Sequence, residues 1–154
     1  MLELKSEFLV DTKVDVDWAG AINVGVTPQG NRAIIYVTGG TFEGPKLKGV
    51  VLPGGGDWYT VRPDGTGILD VRALARTDDD HIIYTYYRGI NYTPPEVRER
   101  MNKGENVDPS ENYFRITPVF ETASEKYSWL NRIVAVGVGQ MTPAGVTYKI
   151  YTIL

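Results

Sequence analysis

Apolar residues along this chain recur at every second position far more often than at every third or fourth, which is the spacing of half-buried strands rather than helices. Residues 2–17 alternate loosely through Leu2, Leu4, Phe8, Val10, Val14 and Val16, predicting one long or bent strand. Strands over 21–26 and 32–38 follow, parted by the turn sequence Thr27-Pro28-Gln29-Gly30-Asn31. Further strands are predicted over 46–52, 58–62, 67–76 and 81–89, with Pro63-Asp64-Gly65 and Thr77-Asp78-Asp79-Asp80 as turns. Strands over 112–121, 127–140 and 145–154 complete the series.

One stretch breaks the alternation. Thr93-Pro94-Pro95-Glu96 offers a cap, prolines at a first helical turn and an acid near the positive helix end; residues 97–103 then run to Gly104, a stop signal. About nine or ten short strands with one short inserted helix predict an all-β fold, a single antiparallel meandering barrel or strongly curled sheet over residues 1–154. Closure also removes the exposed edges that so many strands would otherwise present. No internal repeat or low-complexity segment divides the chain.

Several strands carry mixed faces. On 67–76, Leu69, Val71 and Ala73 oppose Asp70, Arg72 and Leu74; on 81–89, Tyr84, Tyr86 and Arg88 oppose Ile83, Thr85 and Tyr87. On 127–140, Trp129, Asn131 and Ile133 share a face with Ala135, Gly137 and Gly139. Either the polar face lines a ligand cavity inside the barrel or it looks at solvent.

Composition narrows the chemistry. The 154 residues are 42% apolar and 23% charged, with ten tyrosines against four phenylalanines. Tyrosine suits polar cavities, because its ring is apolar and its tip bonds hydrogen. A net charge of −3 argues against a nucleic-acid partner, which would call for a basic face. With no cysteine and one histidine, thiolate catalysis, disulfides and multi-histidine metal sites are excluded within one chain, and no metal or other cofactor is expected. The N-terminal residues lack the apolar core of a signal peptide and no stretch approaches a membrane-spanning helix, so the expectation is a soluble cytoplasmic protein.

The glycine-punctuated run from Gly39 to Trp58 is the strongest local signal. Gly54-Gly55-Gly56 delivers Asp57 and Trp58 directly after a sharp turn. Asp57 is a candidate general base or acid, with Trp58 walling a pocket and raising the carboxyl's proton affinity by desolvation. Glu43, at the other end of the same hairpin, is a candidate second carboxylate. Tyr86 or Tyr87 would serve as acid or oxyanion donor. Asp70 and Arg72, two apart on one strand, would anchor a substrate oxygen or form an ion pair. Tyr113 with Arg115, and Trp129 with Asn131, would add an aromatic wall, a cation and an amide. His81, after three acids, reads as a turn histidine. The Gly54–Gly56 run is not a phosphate loop, since no Gly-Lys-Ser/Thr follows, and Gly137-Val138-Gly139 does not match the dinucleotide pattern.

A succession of phrases carries a family resemblance: Glu43-Gly44-Pro45, Leu52-Pro53-Gly54-Gly55-Gly56-Asp57-Trp58, Arg62-Pro63-Asp64-Gly65, Leu69-Asp70-Val71-Arg72, Tyr113-Phe114-Arg115, Pro118-Val119-Phe120-Glu121-Thr122 and Tyr127-Ser128-Trp129-Leu130-Asn131-Arg132. In that order they resemble domain-of-unknown-function family 3237, small bacterial and fungal proteins, across essentially the whole chain. The resemblance implies a single antiparallel barrel and transfers no reaction and no catalytic residue. One departure is Asp78-Asp79-Asp80, where the pattern has an acid followed by glycine. The resulting expectation is a cofactor-independent enzyme moving protons next to a carbonyl of a small, partly apolar metabolite, by isomerisation, elimination or cyclisation. The alternatives are a non-catalytic barrel that binds a hydrophobic ligand and a structural homo-oligomer.

Overall fold

The computed structural model describes residues 2–154. Ten strands appear: β1 (Ser6–Val16), β2 (Ile22–Thr27), β3 (Gly30–Glu43), β4 (Lys48–Val51), β5 (Gly56–Val61), β6 (Gly67–Thr77), β7 (Ile82–Tyr92), β8 (Tyr113–Glu121), β9 (Val134–Met141) and β10 (Gly145–Ile153). The one α-helix among the described residues, α1 (Pro95–Asn102), starts at the second proline of the predicted cap and stops before Gly104. None of the helices among the described residues is long and apolar enough to cross a membrane.

All pairings are antiparallel, and they close the sheet. β1 pairs β10 along its length and β3 along its C-terminal half, while β10, β9, β8, β7 and β6 follow as neighbours. β3 is long enough to be shared. Its first half pairs with β2 and β5, its second with β1 and β4, so β2 continues the line of β1 and β5 the line of β4. The result is an eight-position barrel plus two extra strands, as the alternation predicts.

Two predicted boundaries move. β3 does not stop at Thr38 but bends through Gly39 and Gly40 and runs on to Glu43. The strand expected over 127–140 is broken: Ser128–Arg132 forms a 3₁₀ turn, and β9 begins only at Val134. Tyr127, Leu130 and Ile133 have the three-residue spacing of a 3₁₀ helix. Leu130 is almost wholly buried and, with Leu47 and Phe120, caps one end of the barrel interior.

Inside, Phe114 and Ile116 of β8 are among the most buried side chains. They owe their seats to inward-facing glycines on β9. A Cβ added at Gly139 would lie 2.7 Å from the Phe114 ring, so no larger residue fits while that ring keeps its place.

Candidate active site

The site grows out of the kink between β4 and β5. Gly54 has a φ of +107°, a backbone state that glycine adopts without strain. The kink stays hydrogen-bonded on both sides: Val37 donates to the Gly55 carbonyl at 2.8 Å, and Leu52 donates to Leu74 at 2.8 Å. It changes register against β6 and sets the inward face of β5 to Asp57 and Tyr59.

Asp57 is half-buried in a pocket of about 60 Å³ at one barrel mouth, among Trp18, Ile35, Tyr59, Asn91, Phe114 and Met141. Its Oδ1 accepts a hydrogen bond from the Asp70 backbone N–H at 2.9 Å. Burial pushes its carboxyl up to about 6; the nearby Asp70 charge works the same way, while the Asp70 N–H and the Arg32 guanidinium oppose the rise. Its charge is felt around the cavity. Tyr59 is raised by burial and then by Asp57, with Asn91 opposing. Tyr87 and Tyr148 are pushed up mainly by burial, with Asp57 adding to each.

Beyond this mouth, Tyr87 of β7 donates to Tyr148 of β10 at 3.2 Å, both buried, with Phe114 edge-on to Tyr148 at 5.7 Å. The two tyrosines also form part of the wall of an apolar chamber of about 70 Å³. Left empty, a void of that size costs on the order of 1.5–2 kcal/mol. The carboxylate pocket and the apolar chamber share no lining residue; the Asp57 charge, felt at both Tyr87 and Tyr148, is what relates them.

The other candidate residues lie elsewhere. Trp58 does not wall the Asp57 pocket: adjacent strand residues face opposite ways, and its indole lies outside over Gly56, 39% exposed. Glu43 does not pair with Asp57. Asp57 stands opposite Ile35 on β3, and Glu43 is exposed eight residues further along that strand, beyond the bend at Gly39 and Gly40, where it pairs with Lys48 and Asp11. Of the two tyrosine candidates only Tyr87 points inward. Tyr86 is on the outer wall, where the Arg72 guanidinium sits 4.8 Å from its ring centre. Asp70 and Arg72 share that outer face, 3.9 Å apart. Tyr113 and Arg115 are also outside, the guanidinium 4.8 Å from the ring centre. Trp129 and Asn131 sit on the 3₁₀ turn rather than on a strand. Lys46 lies over the Trp129 ring, and the Asn131 amide bonds the Thr122 backbone both ways, at 2.8 and 3.0 Å.

Tyr59, Asn91, Tyr148 and Trp18 were not among the sequence candidates. Tyr59 was within reach, since it follows Asp57 by two on one strand and must share its face. Tyr148 belongs to the far end of the chain, and only barrel closure brings it near. Among the described residues, no group of three or more His, Asp or Glu side chains converges in a way that could hold a metal ion.

Fold and site define a class: a closed antiparallel barrel with an ionisable carboxyl at one mouth and a tyrosine-tipped apolar chamber behind it. The chain belongs to the family described as "Protein of unknown function (DUF3237)", whose model matches residues 4–153. A UPF0311 protein of Clostridium acetobutylicum is 41% identical over 124 residues, covering 80% of this chain and 78% of that one. The crystal structure of a beta-barrel like protein from Acinetobacter baumannii AYE superposes with a TM-score of 0.88 at 41% identity, covering 100% of this chain and 98% of the other. A more distant relative, from Penicillium herquei, is named a hydroalkoxylation enzyme; it is 31% identical over 107 residues, 69% of this chain and 56% of that one.

Proposed function

We propose that this barrel is a cofactor-independent enzyme in which Asp57 moves a proton on a small, partly apolar, carbonyl-containing metabolite. The observation that carries this reading is the Asp57 carboxyl, pushed up to about 6 in a half-buried pocket. Such a group is mostly ionised at neutral pH and still readily protonated, so it serves first as base and then as acid. An exposed aspartate near 4 is too weak a base for that double duty.

The step is balanced within the site. Asp57 takes a proton from carbon beside the carbonyl or from a hydroxyl, the carbonyl oxygen gathers the negative charge, and the same carboxyl returns the proton to the neighbouring position. Isomerisation returns it to a different carbon. Hydroalkoxylation, the reaction in the fungal relative's name, takes it from an oxygen and returns it to a carbon as the C–O bond forms. One acid–base group suffices for either.

The test is deuterium exchange, followed by NMR, into a panel of small ketones and enones. The wild type should exchange the protons beside the carbonyl, with a rate that rises through about pH 6. Asp57→Asn, which keeps the acceptor for the Asp70 N–H, should lose about 100-fold or more. Equal exchange by both proteins overturns the reading.

A further inference from the structure

The Tyr87–Tyr148 pair has one hydroxyl proton too many. Two phenols carry two protons, and their mutual bond uses one: Tyr87 donates to Tyr148 at 3.2 Å. Reversing the direction of that bond leaves the same surplus. Among the described residues nothing accepts the second proton, although both rings are at least 95% buried. Buried hydroxyl donors normally find an acceptor, and a donor left without one is expensive.

Both tyrosines belong to the wall of the interior chamber. Apart from Thr12 and Thr85, every other lining residue is aliphatic, aromatic or proline, and the Thr85 hydroxyl is already spent on the Val119 carbonyl at 3.0 Å. The chamber of about 70 Å³ holds roughly two or three groups the size of a water molecule. A second charge would be expelled, because nothing in this wall balances it.

We infer that the chamber is a binding site for a compact, uncharged, apolar molecule, or segment of one, bearing a single acceptor oxygen that receives the free hydroxyl proton of the Tyr87–Tyr148 pair. Ketone, aldehyde and ether oxygens meet this description; carboxylates, phosphates and sugars do not. The inference deepens the acid–base reading by naming the substrate class, and rests on it for the link to turnover. In that role Tyr148, itself held by the Tyr87 hydroxyl, donates its free proton to the oxygen that gathers charge while Asp57 handles the proton.

The probes are acetaldehyde and its near-isostere propene, three heavy atoms each, in which a methylene replaces the carbonyl oxygen, with binding read by NMR titration of wild type and variants. The wild type should prefer acetaldehyde by about five- to tenfold, the worth of one buried hydrogen bond. The double variant Tyr87→Phe/Tyr148→Phe should lose that preference while still taking up propene, whereas either single variant, which leaves one phenol with its proton unpaired, should keep it. Ala73→Leu, which fills the chamber, should abolish binding of both. Asp57→Asn should keep the preference, so exchange that Asp57→Asn leaves unchanged, with discrimination retained, fails the acid–base reading alone. No preference in the wild type, preference surviving in the double variant, preference lost in both singles, or binding surviving in Ala73→Leu each overturns the inference; uptake of propene by the double variant shows that it has folded.

Discussion

Two aspartates of this barrel, Asp57 and Asp79, have been pushed in opposite directions. Asp57 faces the mouth pocket, with burial its dominant influence, and its carboxyl is raised to about 6. Asp79, in the turn between β6 and β7, accepts from the Tyr127 hydroxyl at 2.9 Å and from the Lys126 ammonium. Lys126 first, then Thr77 and Tyr127, hold its carboxyl well below the usual carboxylate range. His81 completes that corner, its ring 5.3 Å edge-to-face from Tyr127. The lesson is that a carboxylate satisfied by a cation and a hydroxyl is fastening, tying the β6–β7 turn to the 3₁₀ cap. A carboxylate desolvated with one backbone donor is held ready to change its charge.

Stability against pH separates the two most strongly. The folded Asp57 binds its proton more tightly than the unfolded chain does, so between about pH 4 and pH 6 the native state holds more protons and stability falls as pH rises. The shift corresponds to about 2–3 kcal/mol at neutral pH. Asp57→Asn should therefore be more stable than wild type at pH 8 by up to that amount and no more stable at pH 4, as read by urea midpoints. A variant equally or less stable at pH 8 would show that the carboxylate is compensated in the fold, and the comparison with Asp79 would collapse.

Asp79 carries the opposite sign. Its folded proton affinity is lowered, so it contributes stability above the unfolded value near 3.8, lost as pH falls towards the folded one. Asp79→Asn should lower the urea midpoint at pH 7 and lose its effect at the most acid pH the fold survives. The group is exposed, so salt should shrink the difference, and the effect should be smaller than at Asp57. A salt-insensitive loss would assign the work to the Tyr127 hydrogen bond instead of to Lys126.

How much of this was legible follows from the range of each signal. Alternation within a strand is local, so the barrel, the helix after Pro94 and the inward faces of β6 and β7 can be read from the residues themselves. The same rule places Trp58 opposite Asp57 and Tyr59 beside it; grouping Asp57 with Trp58 by adjacency worked against the pleat. The break at Ser128 was also in the sequence, in the three-residue spacing of Tyr127, Leu130 and Ile133, but apolar runs this short suit strand and turn alike. What lay out of reach was registration across the closed sheet. Tyr148 meets Tyr87 because β10 and β7 are brought across the interior by closure, and no pattern within either strand encodes the other. The phrases that carry the resemblance hold Asp57 but do not single it out, since Glu43, Tyr113, Arg115 and Asn131 lie in them as well and none of these faces the chamber.

The smallest effect tests the turn that carries Asp79. Asp80, next to it, holds a φ of +67°, the left-handed state that glycine adopts without strain. Left-handed backbone costs an ordinary side chain about 1–2 kcal/mol, and aspartate less, because its short carboxylate bonds locally. Here it reaches Arg76 at 3.0 Å, both groups exposed, an ion pair of the kind worth little. Glycine at this position would relieve the strain but free the unfolded chain, and the two terms nearly cancel. Asp80→Gly should thus change stability by about 0.5 kcal/mol or less, with the pH response due to Asp79 intact. A loss well beyond that would mean that the Arg76 pair, and not the Asp79 cluster, holds the turn against the cap, and the contrast between a fastening and a reactive aspartate would have to be drawn one residue further along.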